Sequence, residues 1–202
     1  MNRLVCAGLL AGLALSSWIP QAAFADPAAN AKDFTTRLMG RTPGKGVTYA
    51  CFTRTYDEAH LAAHPKQNVR AMMLLVKIDP EAGEAYGLTI GVNFRSRKNM
   101  FETAGDCAAA PTDGDEGGGK TAHCSIPCDG GPIQIALKDN GSILLTIPDG
   151  ARVWRPGAIN PDENIHGAFG EDDKLFRLDR ASLSECAPEA VDKAEKAILL
   201  RN

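Results

Sequence analysis

The sequence predicts a mostly β protein, a small antiparallel β-barrel with short N-terminal and C-terminal helices, the alternative being a β-sandwich. Three observations lead there. Tyr86, Leu88, Ile90, Val92 and Phe94 share one parity, and Gly87, Thr89, Gly91, Asn93 and Arg95 share the other. A period of two over that length marks a strand with one buried face. Further β-rich runs follow at meander-like spacing from Val69 to Ile147, which favours up-and-down order and hence the barrel. The helical patterns, by contrast, are short and lie mainly at the two ends.

Taken in order, residues 1–25 have the layout of a secretory signal peptide. Arg3 supplies the positive start, Leu4 to Ile19 is apolar, Pro20 interrupts it, and Ala23-Phe24-Ala25 is a small-x-small cleavage site. The apolar run is shorter than the roughly 20 residues of a spanning helix. Residues 26–46 read as an N-terminal tail and short helix. Phe34 and Leu38 fall on one face of Ala31–Met39, Gly40 lies past its end, and Arg41 to Gly46 forms a loop. Residues 47–202 form a single β-rich domain. Its expected strands are Val47–Tyr56, Val69–Ile78, Tyr86–Phe94, Met100–Cys107, Thr121–Ile126, Ile133–Lys138, Ile143–Ile147, Ala151–Trp154 and Lys174–Leu178. Val69–Ile78 is apolar on both faces and should be central.

One hairpin register follows from packing alone. A loop Asp139-Asn140-Gly141 pairs Lys138 with Ser142 and sets Leu137, Ile135 and Ile133 opposite Ile143, Leu145 and Ile147. All six apolar residues then share a face, and Gly141 takes the position that needs positive φ. Two helices interrupt the β pattern. Asp57 caps a short one ending near His64, with Pro65 as its stop. Residues 188–200 form the C-terminal helix, with Val191, Ala194 and Ile198 as its apolar stripe and Glu189/Lys193 and Asp192/Lys196 on its wet side.

Cleavage after Ala25 would leave 177 residues, 21 of them basic and 25 acidic, a net charge of −4. Such a balance argues against nucleic-acid binding. Nothing after the leader is apolar and long enough to insert stably in a membrane. The expected location is therefore periplasmic or secreted, where disulfides are the ordinary fate of cysteine. Cys51, Cys107, Cys124, Cys128 and Cys186 remain, an odd number. Two bridges are expected among Cys107, Cys124, Cys128 and Cys186. Cys51 lies inside a strand among Tyr49 and Phe52, and is the candidate for a buried free thiol.

Candidate sites are few. Gly114 to Thr121 satisfies the P-loop pattern, but it lacks the strand before it and the helix after it, and Asp113, Asp115 and Glu116 would repel phosphate. It reads as an exposed loop. His60 and His64 are four apart, a spacing that holds a metal when a third ligand such as His123 arrives. Arg95, Arg97 and Lys98 could form a basic rim that attracts an anionic ligand. No nucleophile elbow or acid/base constellation is present in the sequence. The expectation is a non-catalytic binding or interaction protein without a cofactor, its partner a small ligand or a protein. The alternative is a metal-dependent function, metal handling or hydrolysis, built on His60 and His64.

The leader gives a direct test. N-terminal sequencing of exported protein should start at Asp26, and an intact Met1 on membrane-bound material would refute the cleavage.

Overall fold

The computed structural model describes residues 27–83, 85–109, 121–127, 130–139, 141–156, 168–190 and 193–201. Eight antiparallel strands close into a barrel in sequence order, each bonded to the next and the last to the first. They are β1 (Thr48–Thr55), β2 (Val69–Ile78), β3 (Tyr86–Phe94), β4 (Met100–Ala109), β5 (Thr121–Ser125), β6 (Pro132–Asp139), β7 (Ser142–Thr146) and β8 (Leu175–Ala181). The barrel, not the sandwich, is the architecture. Helix α1 (Pro27–Met39) precedes the barrel, α2 (Glu58–Ala63) joins β1 to β2, and α3 (Lys193–Leu199) follows β8.

Alternation decides which side chains enter the barrel. Tyr86, Leu88, Ile90, Val92 and Phe94 point inward, as their parity requires, and pair across the ladder with Ile78, Val76, Leu74, Met72 and Val69 of β2. Phe52, Phe94, Phe176, Met72, Ile135 and Leu145 are among the largest fully buried side chains. An eight-stranded barrel is just wide enough for such side chains to fill it. The interior is therefore a packed core, not a lumen. Phe34 and Leu38 of α1, both at 0% exposure, join this core and plug one end, here the α1 end. Tyr86 meets α1 there through its ring against Phe34 and its hydroxyl 2.5 Å from Thr35 Oγ1. Asp57 caps α2 at the other end by accepting from the His60 N–H at 2.7 Å.

The β6–β7 hairpin pairs Leu137 with Ile143 and Ile135 with Leu145, the register that apolar matching demands. Its turn differs by one pairing. Asp139, not Lys138, faces Ser142, and the register shift falls between Leu137 and Asp139. Asp139 is held by the Ser142 hydroxyl and by the Gly141 N–H at 2.9 Å, which draws it into the ladder. Gly141 has φ +118°, a conformation L side chains resist.

Three expectations are corrected. Ala151–Trp154 is not a strand of the barrel. Trp154 makes an isolated bridge with Glu102, through hydrogen bonds of 2.8 and 2.9 Å. This segment covers the part of the β4 edge beyond the reach of β5, which pairs only with Asp106–Ala109. The C-terminal helix does not run over 188–200. A 3-10 helix spans Leu183–Glu189 with Pro188 inside it, and α3 starts only at Lys193. The buried positions are Cys186, Ala187, Glu189, Glu195 and Leu199, whereas Ala194 is exposed and Ile198 is 44% exposed. Val191 lies outside the described residues. Periodicity misjudged this segment because it assigned Glu189 to solvent.

The third correction concerns Cys51, which is not a free thiol. It is bonded to Cys186, 135 residues away, and Cys107 is bonded to Cys124, its direct cross-strand neighbour. Cys128 lies outside the described residues. Cys51 has outward parity on β1, so its side chain meets the segment after β8 rather than the barrel core. With Tyr49, Leu75, Ala187 and Leu199 it forms a second apolar cluster on the barrel wall. Two disulfides suit an oxidising, extracytoplasmic compartment.

The loop lengths set the expected energies. Replacing both Cys51 and Cys186 by Ala should cost about 4–5 kcal/mol, and replacing Cys107 and Cys124 about 3 kcal/mol. Urea unfolding of the two double variants measures this. A smaller loss at the longer loop than at the shorter one would contradict it.

Candidate functional site

Clefts open at the two ends of the packed barrel. The one at the α1 end has a volume of about 320 Å³ and lies between the end of α1 and the β6–β7 turn. Its charges are already committed. Arg180 donates to the carbonyls of Arg37 at 3.0 Å and Leu38 at 2.8 Å, and its guanidinium stacks 4.7 Å from the Phe52 ring. Burial lowers the pKa of Arg180 from its ordinary value. Asp139 accepts from the Ser142 hydroxyl, which holds its carboxyl below the usual carboxylate range, and Arg177 lies 3.9 Å away. Arg37 lies 3.8 Å from Asp33. These contacts fasten α1 to the barrel and leave little for a ligand.

The cleft at the α2 end is larger, about 390 Å³. Three chain segments build it: Gly130–Gly131 before β6, Pro148–Arg152 after β7, and Phe169–Lys174 before β8. Four of its lining residues are glycines (130, 131, 150 and 170), so backbone approaches the space closely. Phe169 makes its apolar wall, edge-on to Phe94 at 5.4 Å and to Phe176 at 6.5 Å.

Asp173 holds this end rigid. It is 1% exposed, yet it accepts the N–H groups of Asn68 at 2.7 Å, Val69 at 3.1 Å and Gly170 at 2.8 Å. A buried carboxylate so surrounded by donors is compensated without a cation. The same loop gains Asn68 Nδ2 donating to the Ala168 carbonyl at 3.0 Å and an ion pair between Lys66 and Glu171. Within this frame Arg152, Lys174 and Asp149 make no side-chain hydrogen bond or ion pair among the described residues. Arg152 Nε is buried with no partner at all. An orphaned buried donor costs about 1–3 kcal/mol until an acceptor meets it.

The residues singled out by sequence fare differently. Tyr56, His60 and His64 form a column of stacked rings at 4.6 and 4.5 Å, with Arg54 over the Tyr56 face at 5.3 Å. Burial raises the Tyr56 pKa, Arg54 opposes that, and Asp173 adds to it. His60 Nε2 lies 3.0 Å from Gln67 Oε1, so this nitrogen is engaged. Stacked imidazoles present faces, not lone pairs, to one another. Among the described residues no group of three His, Cys, Asp or Glu could hold a metal ion. His123 sits on β5, its Nδ1 3.3 Å from Gln134 Nε2. Arg95 donates to the Leu61 and Gln67 carbonyls, Arg97 lies over the Phe101 ring at 5.6 Å, and Lys98 is exposed. Arg95 thus braces α2, and these three residues do not line the cleft. The P-loop match lies almost wholly outside the described residues.

A carboxyl the sequence put on a wet helix face is the most perturbed one. Glu189 is 2% exposed, and burial, followed by the charge of Glu102, pushes its pKa up to about 8. Such a shift often marks a catalytic acid. Here both oxygens are sealed from solvent, so no substrate reaches them. Neither Glu189 nor Asp173 had a motif to announce it.

Asp173→Ala would strand the buried N–H of Val69 and take the acceptor from the part-buried N–H groups of Asn68 and Gly170, and should cost about 3 kcal/mol in urea unfolding. A loss below about 0.5 kcal/mol would mean that the clamp is not what holds this end.

No protein-family model matches the chain, and no curated protein or solved structure is significantly similar to it, so every statement about its function rests on its own residues.

Proposed function

We propose that this is an exported, periplasmic or secreted binding protein that performs no chemistry on its ligand. It holds a small anion-bearing molecule at the α2 end of the barrel. One observation carries the reading. The 390 Å³ cleft combines two uncommitted cations, Arg152 and Lys174, with an apolar wall at Phe169 and glycine backbone on several sides. Small-molecule sites have this composition, a concave surface with a few placed polar groups. The filled barrel supports a rim site, since no room remains inside for a ligand. Arg152 favours a planar carboxylate or a phosphate, which a guanidinium meets with two parallel hydrogen bonds. Asp149 on the same rim selects against polyanions and for ligands with one anionic end.

The reading that uses His60 and His64 for a metal is less supported, because their rings stack and one nitrogen is engaged by Gln67.

Calorimetric titration with a panel of small carboxylates and phosphate esters tests the proposal. At least one should bind, and Arg152→Gln and Lys174→Gln should each weaken it by roughly tenfold, about 1.4 kcal/mol. Failure of the whole panel at millimolar concentration, or binding indifferent to both substitutions, would rule this cleft out.

A further inference from the structure

We propose that the C-terminal segment is a pH-released latch, in which ionisation of Glu189 expels residues 187–190 and 193–201 from the barrel wall while the Cys51–Cys186 disulfide keeps them tethered.

The geometry begins with a missing side chain. Gly91 has outward parity on β3, and a Cβ built there would lie 2.1 Å from Glu189 Oε1. The carboxyl therefore occupies the slot that glycine leaves. Both of its oxygens are buried and neither has a hydrogen-bond partner. A neutral acid tolerates that position at the cost of leaving its O–H and its carbonyl oxygen unbonded. A carboxylate there would be an uncompensated buried charge, which proteins avoid by neutralising the group or moving it.

The surroundings do not rescue the charged form. Glu102 on β4 is the ladder partner of Gly91 and adds a like charge. Among the described residues Lys77 on β2 is the cation facing this segment, and it lies 3.4 Å from Glu195 of α3. Glu185 of the 3-10 helix accepts from Thr53 and Ser182. Tyr49 on β1 contributes its aromatic ring to the same apolar strip. Lys193 and Lys196 of α3 are exposed.

The sign follows from the direction of the shift. The docked carboxyl titrates at about 8 against an ordinary 4.5. Docking is strongest below the ordinary value, weakens as pH rises towards about 8, and changes little above it. Between pH 6 and pH 9 the opening equilibrium should shift by about a hundredfold. Opening uncovers Tyr49, Met73 and Leu75, the apolar strip under the segment. Cys186 lies three residues before Glu189, so the bridge confines the motion to the chain beyond it.

Hydrogen exchange of the oxidised full chain tests the latch, with β6 and β7 as internal reference and intrinsic rates corrected for pH. Protection over 187–190 and 193–201 should fall by about a hundredfold from pH 6 to pH 9 while the reference strands hold. Glu189→Gln should remove that dependence, and Glu189→Met, which cannot ionise, should do the same if the amide disturbs packing. Gly91→Ala should open the segment already at pH 6, because its Cβ takes the place of the carboxyl. Flat protection in the wild type, or a pH dependence that survives both Glu189 variants, would overturn the proposal.

Discussion

The barrel depends on one seam. Seven of its eight strand pairings join neighbours in sequence, but β1 must find β8 across most of the chain. That ladder is short, pairing only Cys51–Thr53 with Asp179–Ala181. An open eight-stranded sheet would expose two edges. The seam is accordingly reinforced from both sides. Cys51 lies in the seam itself and is bonded to Cys186, five residues past the last seam position. Arg54 reaches Asp179 at 3.3 Å, and Thr53 donates to Glu185. At the α2 end, Asp173 gathers the start of β2 and the approach to β8 into one set of hydrogen bonds. Through Cys186 and Glu185 the C-terminal segment thus reinforces the shortest of the ladders.

Closure also dictates where function can sit. Inward positions are filled by Phe, Ile, Leu and Met, so the wall and the two ends are the remaining surfaces. At the α1 end, Arg180, Asp139 and Arg37 spend their polar capacity on holding α1 and the turn. At the α2 end the frame is held by a carboxylate and backbone amides, which leaves Arg152 and Lys174 uncommitted. That difference in commitment, more than the difference in volume, separates a plugged end from a receptive one.

Much of the fold was legible because a barrel strand obeys local rules. β2 and β3 occupy the residues their patterns mark, and the hairpin pairs Leu137 with Ile143 as burial requires. What escaped depended on partners far away in sequence. Cys51 sits mid-strand, and parity alone could not say that its outward face would be covered by the chain after β8. Glu189 reads as a surface charge until Gly91 supplies a slot for it. The α2-end cleft is assembled from three loops that carry glycine and proline rather than a motif, so its residues are ordinary one at a time. His60, His64 and Arg95 drew attention by spacing and type, and α2 uses their rings and donors for packing.

The separation of the two bridges imposes an order on assembly. Cys107 and Cys124 lie on adjacent strands only 17 residues apart, so their hairpin can form while the chain is still incomplete. Local contacts of this kind close early, and long loops close late. Cys51 precedes them all and must wait for Cys186, with three other thiols passing it first. Until then it is a thiol without its native partner, open to capture by Cys107, Cys124 or Cys128. A wrong bridge there would hold β1 against the middle of the meander and leave the sheet unable to close. Thiol–disulfide exchange would have to undo it. A fold in which all but one strand pairing joins sequence neighbours thus acquires, through one covalent link, a maturation step sensitive to the redox catalysts around it.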